Sequence, residues 1–202
     1  QKTIDKKKFT KQKKYLEKNI QLFFQNKLSP NLIFDLESMA KIFAITELWG
    51  YKHAISPNQL RFYFNPDTLL IEPIGYDMSL LYNINKFGTL ISKKFYEKFL
   101  KNDNNNYITI LLNDLLFRNE LQKQILKITK KENLDLFLKS NNSEIKNNLK
   151  KLYKNYWYLD LKGQRDEIWP KYLPFDTDTL FKNQLTVKKV YEHDFQKIKN
   201  NI

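Results

Sequence analysis

The sequence contains no cysteine, and only two of its 202 residues are histidines, His53 and His193. It can therefore form no disulfide framework, no thiolate nucleophile and no zinc site built from cysteines or from several histidines. No apolar run approaches the roughly 18 residues of a membrane-spanning helix, so we expect no membrane span. The absence of cysteine is compatible with the cytoplasm and with the cell envelope or secretion, and it leaves the compartment open.

Arginine is also scarce, because Arg61, Arg118 and Arg165 are the only three, so lysine carries nearly all of the net charge of +13. Residues 1–30 hold nine basic and two acidic side chains, whereas residues 31–90 hold four and six. Proteins that bind phosphate backbones favour the bidentate fork of arginine, and no nucleic-acid-binding motif accompanies the lysines. We interpret the lysines as compositional background and do not expect nucleic acid as a partner. A basic nucleic-acid-binding module is kept as an alternative.

Apolar residues make up 42% of the chain and aromatic residues 15%, which is enough for a sizeable core. Apolar residues at helical spacing predict one helix over about 12–26 and a second, central helix from the N-cap Asp35 to Trp49. Gly50 is a natural C-cap for this second helix.

The second half of the chain is predicted to be helical. Asn119 with Gln122 resembles a capping box at the start of one helix, and Asn141 with Glu144 resembles another. Stretches rich in lysine and asparagine are expected to be loops at 101–106 and 139–143.

The region after Gly50 is the only strand-like part of the sequence. Arg61 to Phe64 alternates at period two, Asn65-Pro66-Asp67 favours a turn, and Thr68 to Ile74 is again extended. We therefore predict an α+β fold that is predominantly helical, with one β-hairpin at about 59–75 packed among the helices. The predicted organisation is a frayed lead-in at 1–11, a domain at 12–162, and an irregular covering arm with a short C-terminal helix at 163–202.

Polar residues concentrate around this hairpin. The order of a buried helix, a polar loop, a hairpin and an acidic residue is also the order of the catalytic loop, hairpin and metal-binding aspartate of protein kinases. Amide and carboxylate oxygens in such a site suit Mg²⁺. The candidate residues are Glu47, His53, Asn58, Gln59, Arg61, Tyr63, Glu72 and Asp77.

Each main candidate also has a purely structural interpretation. Asp77 can be a turn or cap aspartate, and His53 can bond a loop carbonyl. Glu47 lies inside an apolar helix, where a buried carboxylate needs a partner that Lys52 or Arg61 could supply.

Five segments between Leu28 and Asn83 together resemble the catalytic half of the spore coat protein H (CotH) kinase family. The stretch from Leu28 to Asn83 covers about a quarter of the chain, and the pattern that the segments form is more specific than any short motif. The segments are Ile33-Phe34-Asp35-Leu36-Glu37, Ala40-Lys41-Ile42-Phe43-Ala44, Leu48-Trp49-Gly50-Tyr51-Lys52-His53, Leu60-Arg61-Phe62-Tyr63-Phe64-Asn65-Pro66 and Glu72-Pro73-Ile74-Gly75-Tyr76-Asp77.

The resemblance implies a reduced, atypical kinase C-lobe that binds ATP and Mg²⁺ and phosphorylates a protein substrate. It implies that Asp77 is the metal-binding aspartate and that Gln59, or Asn58, replaces the asparagine that opens the first strand. Arg61 then belongs to the cofactor-binding set. His53 matches a histidine of this branch of the family, and Glu47 lies near the position of the catalytic-loop aspartate.

The sequence departs from the family at two positions. Ser79 stands where the family commonly has a second acidic residue, and Gln59 stands in place of asparagine. The family's phosphate-binding lysine is expected well upstream, so the chain is expected to be a fragment of a kinase or a protein without the front lobe. A catalytically degenerate scaffold for protein interaction is therefore the first alternative to an active kinase, and the nucleic-acid-binding module is the second.

Overall fold

The structure is a computed structural model that describes residues 6–75, 81–101, 106–155 and 177–193. Within these ranges the chain is mostly helical and holds a single two-stranded antiparallel sheet, which confirms the predicted α+β class. The helices are α1 (Lys6–Phe24), α2 (Leu36–Trp49), α3 (Lys93–Phe95), α4 (Tyr107–Asn113), α5 (Leu115–Ile128), α6 (Lys131–Asn155) and α7 (Thr177–His193), and the strands are β1 (Arg61–Phe64) and β2 (Ile71–Ile74). Short 3₁₀ turns lie at Pro30–Leu32, Lys52–Ile55 and Ile84–Lys86, and a π-helical segment, Tyr96–Leu100, continues α3.

Helix α2 is the central helix of the fold, as the sequence predicts. The carboxylate of Asp35 caps its N-terminus by accepting hydrogen bonds from the backbone N–H of Ser38 at 3.1 Å and from the Ser38 hydroxyl at 3.0 Å. Helices α5 and α7 pack against it. Because neighbours cover several of its faces, α2 reads as almost continuously apolar. Its buried apolar residues are Met39, Ala40, Phe43, Ala44 and Leu48.

Gly50 ends α2 in the left-handed conformation, with φ of 66°. A Cβ at this position would overlap the carbonyl oxygen of Tyr82, which crosses the end of the helix. We expect Gly50→Ala to lower the free energy of unfolding by about 2 kcal/mol or more, because the substitution combines an unfavourable φ with a backbone clash. Urea denaturation checks this value. Gly88→Ala, also at positive φ, has a flexible serine side chain as its nearest neighbour, and it should cost less.

The hairpin has the predicted position and a turn at the predicted residues. Arg61 pairs with Ile74 and Phe64 pairs with Ile71, so the start of β1 and the end of β2 lie together at the open end of the hairpin. At the other end, the Asn65 side-chain oxygen accepts the backbone N–H of Asp67 at 2.9 Å. A parallel bridge between Phe34 and Ile71 joins β2 to the segment that leads into α2. The hairpin is thereby held against the central helix.

Three predicted boundaries are wrong. Helix α1 already begins at Lys6, six residues before the predicted start at Gln12. Helix α5 begins at Leu115, because the carboxylate of Asp114 accepts the backbone N–H of Phe117 at 2.8 Å, so Asn119 lies inside the helix and is not its cap. The predicted loop at 139–143 lies inside α6.

The continuity of α6 has a local cause. The predicted loop contains neither glycine nor proline, which are the residues that most often break a helix. The side chains of Ser140 and Asn141 donate to backbone carbonyls one turn earlier, at 2.7 Å to Leu136 and 2.8 Å to Phe137. These polar side chains are therefore accommodated along the helix.

Helix α7 is 17 residues long and belongs to the core, whereas the sequence predicted a short terminal helix in a covering arm. Val187 and Tyr191 are fully buried in the main hydrophobic cluster, and Leu180 is buried in a smaller one. Residues 156–176 of the predicted arm and residues 1–5 of the predicted lead-in lie outside the described residues. Among the described helices, none has the length and apolar character needed to cross a membrane.

Candidate functional site

Glu47, a candidate catalytic residue, is fully buried near the end of α2. One carboxylate oxygen accepts the backbone N–H of Leu90 and the Tyr191 hydroxyl, both at 2.6 Å. The other oxygen forms a buried ion pair with Lys52. Both oxygens are thus engaged by neighbours from three separate parts of the chain.

The ion pair resolves the alternatives for the partner of Glu47, because Lys52 supplies it and Arg61 is exposed on β1. Burial lowers the pKa of Lys52, and the negative charge of Glu47 opposes this effect. Burial, and then the same negative charge, raise the pKa of Tyr191 well above its usual value. The hydroxyl of Tyr191 therefore stays protonated and continues to donate to the carboxylate.

Asn183, a buried residue of α7, forms hydrogen bonds with the end of α2 and with the segment that passes it. Its side-chain amide nitrogen donates to the backbone carbonyls of Leu48 at 3.0 Å and Tyr82 at 2.7 Å. Its side-chain oxygen accepts the backbone N–H of Ile84 at 2.8 Å. A single buried side chain thus ties α7 to the last turn of α2 and to the segment that passes it.

His53 lies in the turn after α2 and is exposed. Its ring makes an edge contact with Tyr51, at 5.7 Å between ring centroids, and Tyr51 lies 5.7 Å from Tyr82. The preceding residue, Lys52, points inward to Glu47. The turn is therefore attached to the core through Lys52, while His53 is exposed to solvent.

Asn58, Gln59 and Arg61 lie together at the open end of the hairpin. The Arg61 guanidinium donates to the backbone carbonyl of Asn58 at 3.1 Å. The side-chain amides of Asn58 and Gln59 have no hydrogen-bonding partner among the described residues. Two amide oxygens are thus available to a ligand next to a cationic side chain.

Asp77, the candidate metal ligand, lies outside the described residues. The last described residue of its segment, Gly75, directly follows β2 at the same open end of the hairpin. The described residues contain no group of three or more histidine and acidic side chains that could hold a metal ion. The oxygen donors that the sequence predicts are two amides and one carboxylate, and this chemistry suits Mg²⁺.

Tyr63 and Glu72 face each other on the outer face of the hairpin, together with Arg61 and Ile74. Tyr63 and Ile74 are about half exposed. The carboxylate of Glu72 accepts the side-chain amide of Asn65 at 2.7 Å, which engages it in the hairpin turn. Arg61 and Ile74 of this outer face lie at the open end of the hairpin. On the opposite face, the ring of Phe62 contacts the rings of Phe34 and Tyr107.

The sequence did not predict the contributions of Leu90, Asn183 and Tyr191, which are remote in sequence and hydrogen-bond to Glu47 or to the end of α2. The spacing of Leu180, Val187 and Tyr191 is helical and could have indicated that α7 belongs to the core. No sequence signal connects any of them with Glu47. Tyr191 is 144 positions away, and its contact exists only in the folded chain.

Tyr107 provides a prediction about alkaline pH. Its buried hydroxyl donates to the backbone carbonyl of Ile55, and burial raises its pKa far above the usual value. Above about pH 10 the unfolded chain loses this proton while the folded chain keeps it, so stability falls as the pH rises. Between about pH 9 and pH 11 we therefore expect the free energy of unfolding to fall by about 1.4 kcal/mol less in Tyr107→Phe than in the wild type.

Urea denaturation across this pH range measures the difference between wild type and Tyr107→Phe. The exposed Tyr63 is the matched control, and Tyr63→Phe should leave the pH dependence as it is in the wild type. An unchanged slope in Tyr107→Phe would contradict the burial of its hydroxyl.

Comparisons of the chain with protein-family models, with curated proteins and with solved structures gave no match.

Proposed function

We propose that this chain is the C-lobe part of a CotH-like atypical protein kinase, which transfers the γ-phosphoryl group of ATP to a hydroxyl of a protein substrate. The observation that carries the proposal is the open end of the hairpin. There the unengaged amides of Asn58 and Gln59 lie beside Arg61, and the strand register brings the chain back to this end two residues before Asp77.

The protein residues divide into two groups by function. Asp77 and the amide oxygen of Gln59 or Asn58 would hold Mg²⁺, and the Arg61 guanidinium lies where it can attract nucleotide phosphates. Mg²⁺, when bound, supplies neutralisation of the charge on the phosphate oxygens. The exposed imidazole of His53 would orient the acceptor hydroxyl and accept its proton.

The proposal gives Glu47 a positioning role. Both of its carboxylate oxygens are engaged and its side chain has no exposure to solvent, so it cannot reach a substrate without breaking this network. Its ion pair with Lys52 fixes the turn that carries His53. The carboxylate thus supports the loop from within while the imidazole faces solvent.

Two experiments test this proposal. Isothermal titration calorimetry measures the binding of Mg·ATP, and γ-³²P-ATP measures the transfer of label to the protein itself and to a basic test protein. The resemblance implies an upstream phosphate-binding lysine, so the protein is used with any segment encoded upstream of Gln1. We expect saturable binding that requires Mg²⁺ and label transfer that chelation abolishes. Binding without transfer would favour the degenerate scaffold, and the absence of both would refute the kinase assignment.

A further inference from the structure

A cavity of about 660 Å³ lies away from the hairpin, between the segment that starts at Leu90, the α3 and π-helical segment, and helices α4 and α5. Its size falls within the usual range for sites that bind small molecules. Apolar side chains supply much of its wall, namely Leu90, Ile91, Tyr96, Leu100 and Leu112.

Two polar atoms at this cavity are buried without a partner. They are the side-chain hydroxyl oxygen of Thr109 and the Nε of Arg118, and neither has a hydrogen-bonding partner among the described residues. A buried donor of a charged group that lacks an acceptor costs free energy, and so does an unpaired hydroxyl. The fold therefore maintains two unsatisfied groups in residues that line the cavity.

Among the residues that the structure describes, the charged side chains that line the cavity, Arg118 and Lys93, are both basic. Lys93 is largely exposed and has Glu97 at 3.6 Å on the next turn, whereas the Nε of Arg118 is buried and has no partner among the described residues. Guanidinium groups bind carboxylates and related anions through two parallel hydrogen bonds.

We propose that this cavity binds a small organic anion with an apolar body. Its carboxylate-like head accepts hydrogen bonds from the Arg118 guanidinium and the Thr109 hydroxyl, while its body packs against the leucine, isoleucine and tyrosine side chains. A single guanidinium with a buried Nε favours one negative charge on the head. No lining side chain is a proposed ligand of the metal, the nucleotide or the acceptor, and Leu90 contributes only its backbone N–H to the Glu47 network. The two sites can therefore be tested separately.

Two fluorescent probes that differ by one group test the proposal. 8-Anilinonaphthalene-1-sulfonate carries an anionic head, and N-phenyl-1-naphthylamine is the same apolar body without it. We expect the anionic probe to bind with 1:1 stoichiometry and more tightly than the neutral one. Arg118→Gln should weaken the anionic probe by roughly 10-fold or more and leave the neutral probe unchanged, because only the charge-assisted hydrogen bonds are lost.

Lys127→Gln is the matched control, because it removes an exposed positive charge from the same helix, α5. It should change neither probe. Thr109→Val is a second variant should Arg118→Gln fail to fold, and it should weaken the anionic probe by several-fold. Equal binding of both probes, or equal effects of Arg118→Gln and Lys127→Gln, would overturn the proposal.

Competition identifies the head group of the ligand. Octanoate is expected to displace the anionic probe, whereas 1-octanol, which has the same chain length and no charge, is not. Displacement by octyl phosphate at concentrations far below those needed for octanoate would overturn the preference for a singly charged head. Displacement by 1-octanol as readily as by octanoate would overturn the role of Arg118.

Discussion

Glu47→Leu is expected to lower the free energy of unfolding by about 3–5 kcal/mol, because it leaves the charge of Lys52 buried without its partner. The same substitution removes the acceptor of the Leu90 N–H and the Tyr191 hydroxyl, and each buried donor then lacks a hydrogen bond. In a chain of this size the loss corresponds to a decrease in Tm on the order of 10 °C.

Urea denaturation and thermal unfolding measure this effect, and Glu37→Leu is the matched control. Glu37 lies on the same helix and pairs with Lys41 at 2.6 Å, but both side chains are about half exposed. An exposed pair contributes little to stability, so this control should cost less than about 1 kcal/mol. Similar losses in the two variants would contradict the buried network.

A double-mutant cycle with Lys52→Met separates the ion pair from the other hydrogen bonds. Lys52→Met alone leaves the Glu47 carboxylate with two donors and should cost less than Glu47→Leu. In the double variant no buried charge is left unpaired, so the combined loss should be smaller than the sum of the single losses. Strict additivity would show that the two charges are not coupled.

Asp77→Asn is expected to reduce phosphoryl transfer by about 10²-fold or more and to weaken the Mg²⁺-dependent binding of ATP. Asparagine keeps the size of the side chain but removes the negative charge that would hold Mg²⁺ against the nucleotide phosphates. The variant should therefore fold as the wild type does, and thermal unfolding verifies this. Transfer assays with γ-³²P-ATP and calorimetry with Mg·ATP measure the two losses.

Asp67→Asn is the matched control for Asp77→Asn. Asp67 lies in the exposed turn at the opposite end of the same hairpin, so this variant should keep the wild-type rate and affinity. If Asp77→Asn also leaves both unchanged, the assignment of the metal site is wrong. Loss of function in both variants would indicate disruption of the hairpin and not loss of a ligand.

Local signals in the sequence determined much of the frame of the candidate site. Asp35 and Gly50 mark the ends of α2 because capping depends on the residue itself and its immediate neighbours. The turn at Asn65 and the alternation in β1 locate the hairpin for the same reason. The position of His53, Asn58 and Gln59 on the loop between these elements follows from the sequence alone.

Two capping-box spacings in the sequence predicted helix starts that the structure does not have. Asn119 and Gln122 have the spacing of a capping box, but Asp114 caps α5 five residues earlier. Asn141 and Glu144 have the same spacing within the uninterrupted helix α6. Spacing identifies residues that are able to cap a helix, and it does not show where the chain leaves the helical conformation.

The sequence by itself thus determined the class of the fold, the central helix, the hairpin and the order of the candidate residues. Only the tertiary structure decided that Lys52 is the ion-pair partner of Glu47 and that the Tyr191 hydroxyl donates to the same carboxylate. It also decided that Arg118 lines a cavity and that its Nε has no acceptor among the described residues. Capping and alternation act between neighbours along the chain. Burial and long-range hydrogen bonds depend on segments that meet only when the helices pack.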